Sequence, residues 1–462
     1  MNSVSSRLKR WPFVPGQAKF RRLWAAQSVS LMGSQVSLVA FPLAAIYLLH
    51  AGTEQVGLIA AAERLPFLVF GLLAGVLVDR WRHRKVLITA DWVRAVSLAL
   101  VPLFAWTHHL TIALMCVVVF VVGVATVFFD IAHQSILTSV VEEDDLLEAN
   151  RLLEGSRAVS EFAGPGVAAL ILKYMAASYA IAVNAATFAL SALYLHAMGK
   201  VDSEPEDTGE RTSIRSDLVA GLAFIRRTSF LRWNALIGAT WNLLLNALMA
   251  VFFVFLARDL DLNASVIAMI VLAGSVGGLV GIAVMGRINK LVGLGPGIAV
   301  ATGTSAVGGI VLALAGGSST QAAITVAVGY LVMNSSYPLF DVNVISIRQT
   351  ITPRNLMSRT TAAMRTIVWG TLPIGSAIGG FMGVSLGTRT SISVLGVLLL
   401  LPAVFTLISP IRKIRQISDL DVPGRTDDSD ADSDSADSAE SAAAAATETD
   451  PDSDDAALAT RR

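Results

Sequence analysis

Residues 56–85 read VGLIAAAERLPFLVFGLLAGVLVDRWRHRK. From Val56 to Val78 the run is apolar except for Glu63, Arg64 and Pro66, and it then turns sharply basic at Arg80, Arg82, Arg84 and Lys85. A helix rises about 1.5 Å per residue, so a run of this length exceeds the roughly 30 Å hydrocarbon core of a bilayer. Lys and Arg gather on the cytoplasmic side of a membrane, so the basic end marks the face where the helix emerges. The stretch reads as one crossing closed by a tight charged turn.

The same pattern recurs along the chain. Of its 462 residues 54% are hydrophobic and only 15% charged, against about 25% charged in soluble domains, which excludes an ordinary soluble globule. Runs of spanning length occupy 21–49, 56–79, 85–106, 110–140, 150–173, 178–198, 231–257, 264–287, 296–316, 321–350, 358–385 and 390–410. The fold class predicted is an all-α membrane protein with twelve transmembrane helices. The first run is too long for the apolar core of a cleaved signal. Twenty-five Lys and Arg residues lie on the termini and the loops that share their side, whereas Lys173, Arg258 and Arg389 occupy the opposite loops. Both termini are therefore expected in the cytoplasm, with the chain crossing the cell membrane many times.

Composition divides the chain further. Residues 1–20 form a short cytoplasmic segment, 21–198 a first six-helix bundle, 199–230 a polar linker, 231–410 a second six-helix bundle, and 411–462 an acidic tail. Across the linker and into the next span, apolar Leu218, Leu222, Phe224, Ile225 and Leu231 stand beside Arg226, Arg227 and Arg232, which fits either an amphipathic helix on the inner leaflet or a basic juxtamembrane connection. Residues 416–462 hold fourteen acids against three arginines, a net −11 that leaves +11 on the rest. With few aromatics, this tail cannot bury enough apolar surface to fold alone. The single cysteine, Cys116, excludes an intramolecular disulfide framework and a multi-cysteine metal site.

The two bundles echo each other. Leu147 matches Leu356 and Asn150 matches Arg359 at a spacing of 209, Pro165 matches Pro373 at 208, and Gly75 matches Gly281 at 206. Duplicated halves around a midplane cavity are a transporter architecture.

The turn at Gly75, Asp79, Arg80, Arg84 and Lys85 resembles the signature loop of the major facilitator superfamily. Further segments carry the resemblance: FRRLWAAQSVSLMGSQVS, FFDIAHQSIL, LLEANRLLEGSRAVSEFAGPG, SIRQTITPRNLMSRTTAAMR and WGTLPIGSAIGG. Within that superfamily the chain is similar to the branch of siderophore exporters and macrolide or multidrug efflux proteins. The resemblance implies two pseudo-symmetric six-helix bundles and an inner gate in which Asp79 meets the start of span eleven, near Arg359. The second half departs from the pattern, because GIAVMGRINK carries no acid, so the latch is expected to be asymmetric. The resemblance also implies export, a proton gradient as energy source with no bound cofactor or metal, and action as a monomer. The element Gly164, Pro165 and Gly166 resembles the antiporter motif of span five. With Pro373 of span eleven it is a candidate for helix bending, since proline removes a backbone donor.

Ionisable residues inside a membrane span are costly and point to function. Glu63, Asp130 and Glu161 are the candidates for proton coupling, with Arg157, Asp341 and Arg365 as charge partners. Arg157 and Glu161 are spaced to meet on one helix face, as are Asp91 and Arg94, and static neutralisation is the competing reading of each pair. Asp91 and Arg94 are expected to be a structural pair, because both can reach interfacial water and partners. Gln27, Ser34, Trp241, Asn242, Asn246 and Asn343 are candidate walls of a substrate cavity, although asparagine in membrane helices also serves helix contacts.

No HExxH, GxSxG or GxxxxGK[ST] pattern is present, so no enzyme chemistry is expected. The function predicted is secondary export of a small amphiphile such as a drug, antibiotic, siderophore or secondary metabolite, with a small-molecule substrate and lipid as partners and no nucleic acid. A lipid or lysolipid translocator, or a scaffold or sensor that has lost transport, is the alternative.

Overall fold

The computed structural model describes residues 18–79, 81–141, 145–199, 214–353, 356–416 and 419. Arg80, most of the linker and all of the tail beyond 420 lie outside the described residues, as do the surroundings of Gly75 and the side chain of Asp79. Among the described residues there are helices and no strand.

The first half comprises α1 (Ala18–Leu49), α2 (Thr53–Asp79), α3 (His83–Trp106), α4 (Ile112–Val140), α5 (Leu146–Tyr174) and α6 (Ala177–Ala197). A connecting helix, α7 (Ile214–Arg227), leads to the second half: α8 (Ser229–Val254, extended by a π-helical turn over Phe255–Asp259), α9 (Ala264–Val292), α10 (Leu294–Ala313), α11 (Ser319–Ile351) and α12 (Met357–Ser385). It closes with α13 (Thr388–Leu398) and α14 (Leu400–Ile408). The last predicted span is thus two helices in line. Pro402 has no N–H to give and its ring crowds the carbonyl four residues back, which breaks the ladder near Leu399. Ten of these segments are long and apolar enough to cross a membrane. At 27 and 29 residues, α2 and α5 match them in length and bear the charges Glu63, Arg64, Arg157 and Glu161.

Five of the six helix starts in the first half recur in the second at a spacing of 211, larger than the sequence matches indicate. Helix starts at residues 18, 53, 83, 146 and 177 recur at 229, 264, 294, 357 and 388. At this spacing Asp130 falls on Asp341, within FFDIAHQSI and LFDVNVISI. Gly75 falls on Gly286 rather than Gly281. Glycines recur in α9 because that face packs closely: a Cβ at Gly277 or Gly281 would strike the Leu331 or Ser335 carbonyl of α11. Such small-residue contacts drive helix association where lipid offers no hydrophobic contrast. Gly375 and Gly379 of α12 likewise lie on the Leu243 and Ala247 carbonyls of α8.

After α14 the chain turns back beneath α10, where Gly295 N–H donates to Ile414 O at 2.8 Å and Leu294 N–H to Arg415 O at 3.2 Å. The start of α1 and this return define a terminal face, opposite a distal face. At the terminal face α7 docks on α12, with Gly221 against the Arg359 carbonyl and Ile225 buried, while Val219 and Leu222 remain exposed.

Candidate substrate and coupling site

The distal ends of the halves are closed on each other. Gly57 of α2 lies against Gly380 and the Ser376 carbonyl of α12, and Gly380 in turn meets the Thr53 carbonyl, so main chain touches main chain. Around this seam Arg258 donates to His50 O at 2.5 Å and Tyr47 Oη to Leu262 O at 2.6 Å. Ser265 Oγ reaches Ala169 O at 3.2 Å and Ser275 Oγ reaches Glu161 O at 2.9 Å, joining α9 to α5. These four hydrogen bonds run from the distal ends of the helices to the middle of α5 and α9.

Toward the terminal face the charges begin. Midway along α5, Arg157 stands 3.8 Å from both Glu154 and Glu161, and the Arg157 and Glu161 side chains are 51% and 60% exposed. Such open pairs contribute at most about 1 kcal/mol, so Glu161 is not locked in place by Arg157. Charges this exposed within a span face a cleft rather than lipid. Arg365 of α12 is also exposed, and its guanidinium stacks on Trp369 at 4.0 Å. Trp369 meets Phe67 of α2 edge-on at 6.2 Å, linking the halves. Asp130 feels the charges of Arg94, Arg157 and Arg365, and so gathers cations from α3, α5 and α12. Asp341 interacts with Arg348 on its own helix, while Arg64 and Glu161 of the first half act on neighbouring Tyr337. Asp130 is thus within electrostatic reach of Arg157 and Arg365, and Arg64, Glu161 and Asp341 are within reach of Tyr337. Glu63 is half-buried, and its carbonyl lies where a Cβ on Gly123 of α4 would fall.

Asp91 and Arg94 form the structural pair expected, but their setting requires a correction. Rather than reaching interfacial water they are 0% and 3% exposed and pair inside the first half. Ser191 of α6 donates to Asp91 at 2.5 Å, and the Arg94 guanidinium is held between the Phe129 and Phe188 rings at 4.1 and 4.3 Å. Phe129 also stacks on His133 at 5.9 Å. The sequence shows the helical spacing of the pair but not that its face points inward, to α4 and α6. At the equivalent places the second half has Thr302 and Ser305, both neutral.

The proposed cavity walls divide. Trp241 is buried against Tyr337 and Phe340, and its indole N–H reaches Ser305 Oγ at 3.3 Å. Asn343 is buried and exchanges hydrogen bonds with Asn289 at 2.7 and 3.0 Å, also donating to Leu294 O. These two side chains are occupied between helices. Asn242 and Asn246 bond the carbonyls of Gly238 and Asn242 in their own helix, and Ser34 bonds Ser30 O. Gln27 is different: its Oε1 is buried with no hydrogen-bond partner among the described residues.

In the basic turn, Arg84 donates to Leu195 O and His196 O at 3.2 and 2.7 Å, satisfying the last carbonyls of α6. Lys85 is exposed. The pairing of Asp79 with α12 lies outside the described side chains. Gly164 packs against Gln35 of α1, and the helices run unbroken through Pro165 and Pro373. Two features escaped sequence reasoning. One is the seam Gly57, Gly380 and Gly383, whose signal in α12 is the pair Gly380 and Gly383 set beside Gly375 and Gly379, which face α8. The other is the Asp130 and Asp341 equivalence, whose signal is the repeated Phe-Asp at 211.

The sequence profile of the Major Facilitator Superfamily matches residues 23–371. The chain belongs to that superfamily. Macrolide efflux protein A of Streptococcus pyogenes is 28% identical over 169 residues, covering 36% of this chain and 41% of that protein, so the match spans well under half of the relative. Multidrug efflux pump Tap of Mycolicibacterium fortuitum is 24% identical over 386 residues, covering 82% and 92%. Tap of Mycobacterium tuberculosis (strain ATCC 25618 / H37Rv) is 24% identical over 416 residues, covering 87% and 94%. Among solved structures, the nucleoside transporter NupG aligns with a TM-score of 0.66 at 11% identity, over 84% of this chain and 98% of that one. An inward-facing bacterial homologue of the iron transporter ferroportin aligns at 0.64 and 15%, over 84% and 98%. At such identities these likenesses establish the major facilitator fold alone, a multi-pass membrane architecture common to transporters.

Proposed function

We propose that this Major Facilitator Superfamily member is a secondary exporter of small, partly hydrophobic compounds, working by alternating access in exchange for protons. Similarity to the Tap multidrug efflux pumps along more than four fifths of the chain is the observation that carries export. The terminal face is cytoplasmic in this reading and the membrane is the cell membrane, on the distribution of Lys and Arg. A distal seam with exposed charges beyond it then corresponds to the state open to the cytoplasm. An amphiphile enters between the halves, the seam at Gly57 and Gly380 parts, and the terminal ends close. Asp130, Glu161 and Glu63 are the carboxylates that exchange protons. A carboxylate carrying a proton no longer draws Arg157 and Arg365 inward, so proton loading and closure of the charged cleft are coupled.

The test is accumulation of a fluorescent amphiphile in cells with and without the protein, with and without a protonophore. Accumulation falls when the protein is present, the protonophore removes the difference, and Glu161→Gln or Glu63→Gln abolishes it. Efflux and its pH dependence left intact by both substitutions sinks the proton assignment. No response to any amphiphile, with phospholipid movement between leaflets instead, returns the translocator reading.

A further inference from the structure

We propose that the outer flank of the first half carries a site for an anionic phospholipid, between α3 and α4 at the terminal face. It rests on that face being cytoplasmic, but not on export. A groove of about 740 Å³ lies there, walled by Val86, Ala90 and Val93 of α3 and by Val121, Val124 and Phe128 of α4. None of the charged residues of the central cleft lines it. Its mouth is different in kind. Arg82 and Lys85 stand at the opening beside Trp81, all three exposed, and Trp81 stacks on Phe128 at 5.9 Å.

Position and length fit one leaflet. Arg82 and Val93 are eleven residues apart, about 16 Å along a helix, close to half of a roughly 30 Å hydrocarbon core. A phosphate at Arg82 and Lys85 would leave an acyl chain lying along the valine wall. The mouth also adjoins the start of α3, whose first turn has no acidic residue and whose cap, Arg82, makes no side-chain capping bond. The partial positive charge of a helix N-terminus thus adds to the two side chains. Aromatic residues favour the same headgroup level.

Positive-inside anchoring alone does not predict this arrangement, because the second half has no copy of it. At a spacing of 211, Trp81, Arg82 and Lys85 become Val292, Gly293 and Pro296, and the returning chain at Ile411 and Ile414 covers Gly295 there. Charge complementarity selects an anionic headgroup over a zwitterionic one.

Each basic group near an anionic lipid strengthens association about fivefold, so the pair should prefer phosphatidylglycerol to phosphatidylcholine by tenfold or more. The full chain, purified in detergent, is titrated with each lipid and bound copies are counted by native mass spectrometry. The Arg82→Gln/Lys85→Gln variant is expected to bind both lipids at the phosphatidylcholine level. Val93→Trp, which fills the apolar slot and keeps the charges, is expected to weaken both lipids alike. Equal affinity of the two lipids in the unmodified chain overturns the proposal, as does a preference that survives the double substitution. Should the double variant not fold, unchanged phosphatidylglycerol affinity in Val93→Trp overturns it as well. Mapping of tags on the termini separates these outcomes from a wrong orientation.

Discussion

Asp130 and Asp341 occupy the same place in the two halves, yet their surroundings differ. Three arginines on α3, α5 and α12 act on Asp130, whereas Asp341 interacts with Arg348 of its own helix. Asp130→Asn is therefore expected to flatten the dependence of efflux on external pH. Without it, raising the outside pH toward the inside value should no longer slow transport. Asp341→Asn should lower the rate and leave that dependence. Identical behaviour of the two variants in a vesicle efflux assay would remove the asymmetry. The Asp91 and Arg94 pair makes a different demand. Taking away one partner of a buried ion pair costs about 3–5 kcal/mol, because the other charge is stranded. Arg94→Met should lower Tm sharply in detergent, and Asp91→Asn combined with it should recover part of the loss. The candidate charges were legible because ionisable residues stand out in apolar runs. Their grouping was not, since nothing in the one-dimensional pattern says which face of α3 turns toward Phe129 and Phe188.

At the level of helices, the apolar runs located nearly every element to within a few residues, since span length is fixed by bilayer thickness. Register between halves was harder to see. The matched residues give spacings of 206 to 209, while the helices give 211, because glycines in α9 mark contact points with α11 rather than equivalent positions. That contact is testable. A leucine at Gly277 would have to occupy the space of the Leu331 main chain, and overpacking costs at least about 1–3 kcal/mol. Gly277→Leu should reduce Tm and yield, whereas Gly278→Leu, where a Cβ meets nothing within 4 Å, should be tolerated. The Asn289 and Asn343 pair ties α9 to α11 near the terminal face, in the half without the acidic turn. Asn343→Ala leaves Asn289 without its partner, a loss of about 1–3 kcal/mol, and circular dichroism melts would register it.

For the molecule as a whole, the alternating-access cycle proposed above makes the closed distal seam and the cleft beyond it one end of a rocking motion. A covalent tie across the seam should hold it there. With Cys116 replaced by Ser, Thr53→Cys and Gly383→Cys, whose Cβ positions lie 2.6 Å apart and need about 1 Å of separation to reach disulfide geometry, should form a disulfide under oxidation. Transport is expected to stop and to return on reduction. Continued efflux by the fully cross-linked protein would mean that the seam does not open in the cycle.

Because the centre of the seam at Gly57 and Gly380 is glycine against backbone, its closest approach is set by the chain's covalent skeleton, with side chains such as Thr53, Tyr47 and Arg258 at its edges. The leak barrier is thereby separated from the surfaces that touch cargo. If the chain exports as proposed, residues lining the cleft can drift toward new compounds without loosening that seam.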